Sequence, residues 1–107
     1  MDQQPRILHL LEALTHDRRE RGALLYELRD FLEVYLHCRE EVCAHGVRAV
    51  LGSRCARVKA ENARVREGFG RLVTLRDDEG RFVSAVRDLR RTIEAVSPTG
   101  HVLRHAA

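Results

Sequence analysis

The sequence has few of the residues from which disulfide frameworks and metal centres are built. Cys38, Cys43 and Cys55 are its only cysteines, an odd number without C-x-x-C spacing. Such a set excludes a fully paired disulfide framework and a closed cysteine zinc site, and it favours free thiols in a reducing compartment. We therefore expect an intracellular protein, cytoplasmic or nuclear, with no metal or other cofactor.

Long apolar runs are also lacking. The longest extend over only a few residues, so no segment is expected to span a bilayer and no membrane partner is expected. Residues 1–17 contain neither a basic leader nor a cleavage site, so we expect no secretory signal. The pair Gly68 and Gly70 is too closely spaced for a phosphate-binding or dinucleotide-binding loop and does not follow a predicted strand.

Aliphatic and charged residues are abundant instead. A chain of 107 residues with 44% hydrophobic and 33% charged residues is typical of a single soluble domain with one modest core. Residues 1–50 carry seven arginines and nine acids, a net charge of −2, whereas residues 51–107 carry eleven arginines, one lysine and seven acids, a net charge of +5. The two halves of the chain therefore have opposite charge.

Apolar spacing predicts an all-α fold. Pro5 favours a helix start, and the stripe that follows it predicts a short first helix over about residues 5–15. Asp17 and Glu20 have capping-box spacing that predicts a break, although this helix could also continue directly into the next. The second predicted helix covers about residues 18–51, where Gly52-Ser53 supplies a stop and then an N-cap.

The third predicted segment covers residues 53–97, with a break near 68–80. Val58, Val65 and Leu72 occupy the heptad position that Val86 and Ile93 occupy later, which favours helix on both sides of the break. A β-hairpin in which residues 72–75 pair with residues 81–86 is the alternative, because its loop contains Gly and its flanks are β-branched. Residues 1–97 are thus expected to form one domain and residues 98–107 a C-terminal tail.

Two heptad seams suggest where this helical domain associates. One lies in the second helix and the other in the third segment, and together they contain Leu24, Leu28, Phe31, Tyr35 and Val42, then Phe82, Val86, Leu89 and Ile93. The second helix has another apolar line, which consists of Leu25, Leu32, Leu36, Cys43, Val47 and Val50. Because a short first helix cannot cover so much apolar surface, we expect an antiparallel helical hairpin or three-helix bundle with coiled-coil character, associating with itself or with a helical partner.

Catalysis is not expected. Cys38 and Cys43 fall in the apolar seams, where a cysteine behaves as a small hydrophobe. Cys55 lies near a predicted helix N-terminus and two arginines, an environment that favours a reactive thiol, but an inert cysteine is the better interpretation. His37, Glu41 and His45 share a helix face, yet three ligands spread over eight residues are too far apart for one ion.

The basic segment from residue 54 to residue 71 supports a second hypothesis. Arg57, Arg64 and Arg71 are spaced by seven and align on one helix face, where they could contact nucleic acid. No stacking platform of aromatic residues accompanies them. The sequence therefore predicts a non-enzymatic protein-interaction module, such as an adaptor, scaffold or assembly subunit, with nucleic-acid binding as the less favoured alternative.

Overall fold

Four α-helices contain most of the residues that the structure describes. A computed structural model describes the backbone of residues 3–45 and 48–96 and the side chains of residues 3–42 and 55–96. Within those ranges the chain forms no strand, and its helices are α1 (Gln4–His16), α2 (Arg21–His45), α3 (Arg48–Thr74) and α4 (Glu79–Ala95). The all-α prediction is confirmed, with four helices in the described ranges in place of the three that were expected.

The first connection lies where its capping residues predict it. Pro5 occupies the first turn of α1, and the helix ends at His16. The backbone N–H of Glu20 then donates to Oδ1 of Asp17 at 3.0 Å, so the side chain of Asp17 satisfies a backbone donor near the start of α2. The alternative of one continuous helix through this region is therefore wrong.

The later helix boundaries differ from those predicted. Helix α2 ends at His45, before residue 51, and α3 begins at Arg48, so Gly52-Ser53 lies inside α3. Helix α3 also continues through Gly68 and Gly70 and ends at Thr74, which rules out the β-hairpin alternative. The break is confined to residues 75–78, where the side chain of Asp78 accepts a hydrogen bond from the backbone N–H of Arg81 and caps α4.

The four helices form a ring in which each packs against two neighbours. Helix α1 contacts α2 and α4, and α3 contacts the same two helices. Helices α2 and α3 are antiparallel. Successive contacts between them join Arg39 to Glu61, Leu36 to Asn62 and Glu33 to Arg66, so residue numbers fall along α2 as they rise along α3. The arrangement is an antiparallel four-helix bundle.

The bundle core takes apolar residues from all four helices. Its buried members are Ile7, Leu10, Leu11, Leu14, Leu25, Leu28, Leu32, Leu36, Val65, Leu72, Phe82, Ala85, Val86, Leu89 and Ile93. The predicted seam of α4 lies entirely in this core, as does Leu28. Leu24, Phe31 and Tyr35 are half-buried against it, and Val42 is half-buried farther along α2. The structure therefore uses most of both predicted seams to close its own core.

A buried arginine joins the two connections at one end of the bundle. Arg21 donates to the backbone carbonyl of Arg76 at 2.9 Å and to Oε2 of Glu79 at 2.8 Å. Its guanidinium carbon also lies 4.0 Å from the ring centroid of Phe82, a cation–π contact. These contacts fix the first turn of α2 against the connection between α3 and α4.

Two glycines inside α3 have different structural roles. A Cβ added to Gly68 would lie 2.9 Å from Cδ1 of Leu89, so the absence of a side chain there permits the close approach of α3 to α4. A Cβ added to Gly70 would meet nothing within 4 Å. Packing against Leu89 therefore disfavours a side chain at position 68, whereas nothing in the packing disfavours one at position 70.

We expect opposite effects from alanine at these two positions. Gly70→Ala should raise the free energy of unfolding by about 0.5–1 kcal/mol, because alanine has the higher helix propensity. Gly68→Ala should lower it by about 1–3 kcal/mol, because the new methyl group displaces Leu89. Urea unfolding followed by circular dichroism measures both changes, and equal effects of the two substitutions would contradict the packing assigned to Gly68.

Candidate interaction surface

The outward side of the α2–α3 pair is a surface that no other described helix covers. Helices α1 and α4 pack against its opposite side. We call this outward side the hairpin face, and its exposed members are Ala23, Tyr26, Arg29, Asp30, Glu33, Val34, His37 and Glu41 of α2, with Ala56, Lys59, Ala60, Ala63, Arg66, Glu67, Gly70, Val73 and Thr74 of α3. Arg57, Arg64 and Arg71 form its edge beside α4 and are also exposed.

Burial makes the α2 half of this face acidic. Helix α2 contains three arginines and five carboxylates. Two of the arginines, Arg21 and Arg39, are buried at 7% and 3% exposure, so only Arg29 remains to offset the carboxylates at the surface. The exposed part of α2 is consequently more negative than its composition indicates.

Burial has the reverse effect on α3. This helix contains seven basic residues and two glutamates. The side chain of Glu61 is only 12% exposed and accepts from Nη2 of Arg39 at 2.7 Å, which leaves Glu67 as the acid at the surface. Lys59, Arg64 and Arg57 are exposed and make no ion pair within the described part of the chain. The two halves of the hairpin face therefore carry opposite charge side by side.

Exposed apolar side chains accompany these charges. Within the described ranges the large hydrophobic residues with high exposure are Tyr26 at 65%, Val73 at 53% and Val34 at 49%. All three belong to α2 or α3. Tyr26 and Val73 lie at the same level of the hairpin, given the register of the ion pairs between the two helices, and Arg29 stacks over the Tyr26 ring at 5.0 Å. An aromatic and an aliphatic residue thus stand near the boundary between the acidic and basic halves.

The α3 half of the face has low relief. Ala56, Ala60, Ala63 and Gly70 follow heptad spacing along its exposed side, with Glu67 between the last two. Small side chains at such positions allow the backbone of another helix to approach closely. These small residues form a shallow groove along α3, with basic residues on both sides of it.

A polar cluster beneath the face fixes the register of its two helices. The Asn62 side chain is fully buried, and its Nδ2 donates to the Leu36 carbonyl and to Oε1 of Glu40, both at 3.1 Å. Nη1 of Arg66 donates to the same Glu40 oxygen at 2.8 Å. Hydrogen bonds from Arg66 and then Asn62 hold the pKa of Glu40 below its ordinary value, and the bond to Glu40 raises the pKa of Arg66. Because these bonds cross from α3 to α2, they stabilise one alignment of the hairpin.

Two grooves elsewhere in the described part of the chain are small and partly lined by charged residues. One of about 280 Å³ lies between α1 and α4, where Glu12 pairs with His16 at 2.9 Å and with Arg90 at 3.1 Å. The hydrogen bond from His16, together with the charge of Arg90, holds the pKa of Glu12 below its ordinary value. Another of about 210 Å³ lies between α3 and α4, with Arg64 and Arg71 on its α3 side.

The predicted nucleic-acid contacts lie together on α3, whereas Cys38 and Cys55 lie apart on α2 and α3. Arg57, Arg64 and Arg71 are all exposed on one side of α3, as their spacing predicts, but Arg71 pairs with Glu67 at 3.0 Å. Cys38 is exposed, so its assignment to the apolar seam is wrong. Cys55 lies in the interior of α3 and not at a helix N-terminus, because α3 begins well before it.

The histidine face of α2 is only partly within the described side chains. Nε2 of His37 lies 3.6 Å from Oε1 of Glu41, and both side chains are exposed. Across the described residues there is no group of three or more side chains placed to hold a metal ion. The side chains of Cys43, His45, Val47 and Val50 lie outside the described residues, as does the predicted tail from residue 98.

Comparisons of this chain with protein-family models, with curated proteins and with solved structures find no match. None of the helices in the described ranges combines the length and apolarity needed to cross a membrane. The hairpin face is therefore identified by its own geometry and charge.

The lowered pKa of Glu40 predicts an acid-dependent loss of stability. A carboxyl whose pKa is lower in the folded state stabilises the fold above its unfolded pKa, which is 4.5 for glutamate, and loses that contribution as the pH falls through the folded pKa. Glu40→Gln should therefore lower the free energy of unfolding at pH 7 by less than about 1 kcal/mol, since the ion pair is partly exposed. That difference should vanish in acid, as measured by urea unfolding across pH.

Arg66→Gln provides the matched variant for this experiment. It removes the main donor to Glu40 and should reproduce most of the pH dependence of the Glu40→Gln difference. A stability difference that stays constant from neutral to acid pH would contradict the role given to the Glu40 hydrogen bonds.

Proposed function

We propose that this protein is a non-enzymatic α-helical interaction module, an adaptor, scaffold or assembly subunit, that binds other protein surfaces through its hairpin face. The observation that carries the proposal is the sorting of charge by burial. With Arg21, Arg39 and Glu61 buried, an acidic and a basic strip remain side by side on the outward surface of one helix pair.

The character of the face supports protein binding. Interfaces are enriched in tyrosine and arginine, and Tyr26 with Arg29 stacked over its ring offers both near the N-terminal end of α2. Complementary strips of charge give orientation and association rate, while exposed apolar side chains contribute affinity. The buried seam residues of α4, such as Phe82 and Leu89, are unsuitable probes because charge at these core positions would unfold the bundle.

Affinity capture from the native source tests this proposal with paired variants. Tyr26→Ala combined with Val73→Ser should weaken capture of specific partners by about tenfold or more, because an aromatic anchor buried in an interface contributes on the order of 2 kcal/mol. The readout is the change in partner abundance, quantified by mass spectrometry relative to the wild type.

Arg81→Glu combined with Arg87→Glu is the control, because both residues are exposed on α4, on the other side of the bundle. Capture should survive this change. If the partners were absent with the α4 control and retained with the Tyr26 and Val73 variant, the interaction surface would lie on α4 and the proposal would be wrong.

Nucleic-acid binding along α3 is the second candidate. It is favoured by the exposure of Arg57, Arg64 and Arg71 on one side of the helix and by the absence of ion pairs at the first two within the described residues. Against it, Glu67 pairs with Arg71, and Asp88 lines the adjoining groove between α3 and α4. Mixed charge of this kind is less suited to a phosphate backbone than to a protein surface.

Salt-dependent binding to duplex DNA tests this second candidate. Neutralising phosphates releases counterions, so replacing all three arginines by alanine should reduce the slope of log affinity against log salt by about 0.9 for each phosphate that an arginine neutralises in the wild type. Fluorescence anisotropy measures the slopes of wild type and variant. Absence of binding by the wild type at low salt would eliminate nucleic acid as a partner.

A further inference from the structure

We infer that the partner of the hairpin face is a second copy of this chain, related by a twofold axis that runs parallel to the helices. This inference rests on the proposed function, because it names the occupant of the same surface. Rotation about such an axis lays α2 of each copy over α3 of the other, so the acidic strip of each copy meets the basic strip of its mate.

The charges of the two strips fit this arrangement at matching levels. Within one copy the ion pair between Arg39 and Glu61 fixes which residues of α2 and α3 lie side by side. A twofold axis parallel to the helices preserves those levels between copies. Asp30 then faces the region of Arg71 in the second copy, and Glu41 faces the region of Lys59. Each pairing occurs twice, since the interface is isologous.

The apolar and small residues fit the same arrangement. Tyr26 lies on the side of α2 next to α3, and Val73 lies on the side of α3 next to α2, so both are close to the proposed axis. Two copies therefore bring four exposed apolar side chains together at one level. Along α3, Ala60, Ala63 and Gly70 leave space for the side chains of the opposing α2, and no neighbouring atom occupies the position of a Cβ on Gly70.

The size of the face is close to what a stable dimer needs. The described side chains extend along about 30 Å of each helix, at 1.5 Å per residue. The molecule is 22 Å by 17 Å in its two shorter dimensions, which gives a projected face of roughly 500–650 Å². A standard interface buries about 800 Å² per partner. The described part alone thus approaches the required area.

Self-association follows from the placement of both charge signs on one face. A different protein would need an acidic strip beside a basic strip, at the same spacing and in the order that places each strip against one of opposite charge. A second copy has that arrangement already. A twofold rotation places both strips of each copy against strips of opposite sign in a single closed contact, which leaves neither strip unpaired and forms no open chain.

Charge reversal on one strip at a time tests the dimer. Lys59→Glu with Arg71→Glu reverses the basic side of both proposed pairings, and Asp30→Lys with Glu41→Lys reverses their acidic side. Size-exclusion chromatography with light scattering should give twice the chain mass of 12.3 kDa for the wild type and a twofold lower molar mass for either variant. Equimolar mixing of the two variants should restore the dimer mass, because each then offers the strip that the other needs.

Circular dichroism melting of each variant checks that the monomers are folded, and the α4 variant carrying Arg81→Glu and Arg87→Glu should remain dimeric. A monomeric wild type would overturn the dimer. So would reversal variants that stay dimeric, or folded variants that fail to associate on mixing. If the wild type is monomeric and Tyr26→Ala with Val73→Ser still reduces capture of other proteins, the second copy is wrong while the proposed function stands.

Discussion

The ion pair between Arg39 and Glu61 is the interaction on which the surfaces of this molecule depend. It is almost fully buried, its N–O distance is 2.7 Å, and it joins α2 to α3 beside the fully buried Asn62. Removing two charges from water costs several kcal/mol per ion, so this pair adds less to stability than apolar residues of equal volume would. Its effect is on alignment, since a shift of one helix by a turn would leave both charges buried without a partner. The alignment in turn decides which residues of the hairpin share an outward face.

The same burial changes the electrostatics of the surface. Burial removes Arg21 and Arg39 from the exposed surface of α2, and it removes Glu61 from that of α3. The exposed charges of the two helices therefore differ more than their compositions do. The two halves of the sequence differ in net charge, and the exposed surfaces of α2 and α3 differ in charge more strongly still. Exposed pairs such as Arg29 with Asp30, at 3.5 Å, contribute little to stability because solvent screens them. Their sign and position matter more for what the face attracts.

Apolar spacing was sufficient to predict the helices but not their ends or their partners. The seam from Phe82 to Ile93 was recognisable because its four-three spacing continues without interruption, and all of its members are buried. The end of α3 was not recognisable, because Gly68 and Gly70 each cost about 1 kcal/mol in a helix. Burial of Val65 and Leu72 on either side of them offsets that cost. Cys38 was misplaced for a different reason. A strict heptad drifts by about 20° per repeat on a straight helix, so the buried row of α2 follows Leu28, Leu32 and Leu36 and leaves Cys38 outside.

The candidate site could not have been located from sequence, because a heptad seam does not reveal whether it faces its own chain or another. In this chain α1 and α4 are short, at about 20 Å and 25 Å, yet they are long enough to cover the apolar rows that α2 and α3 direct between them. Because those rows are buried internally, the proposed association uses the side of the hairpin that sequence patterns describe only as polar. Tyr26, Val34 and Val73 occur there singly and follow no period, so no periodicity argument selects them. Tyr26 and Val73 can be recognised as a pair only in the structure. There, the register set by Arg39 and Glu61 places Tyr26 level with Val73, at the boundary between strips of opposite charge.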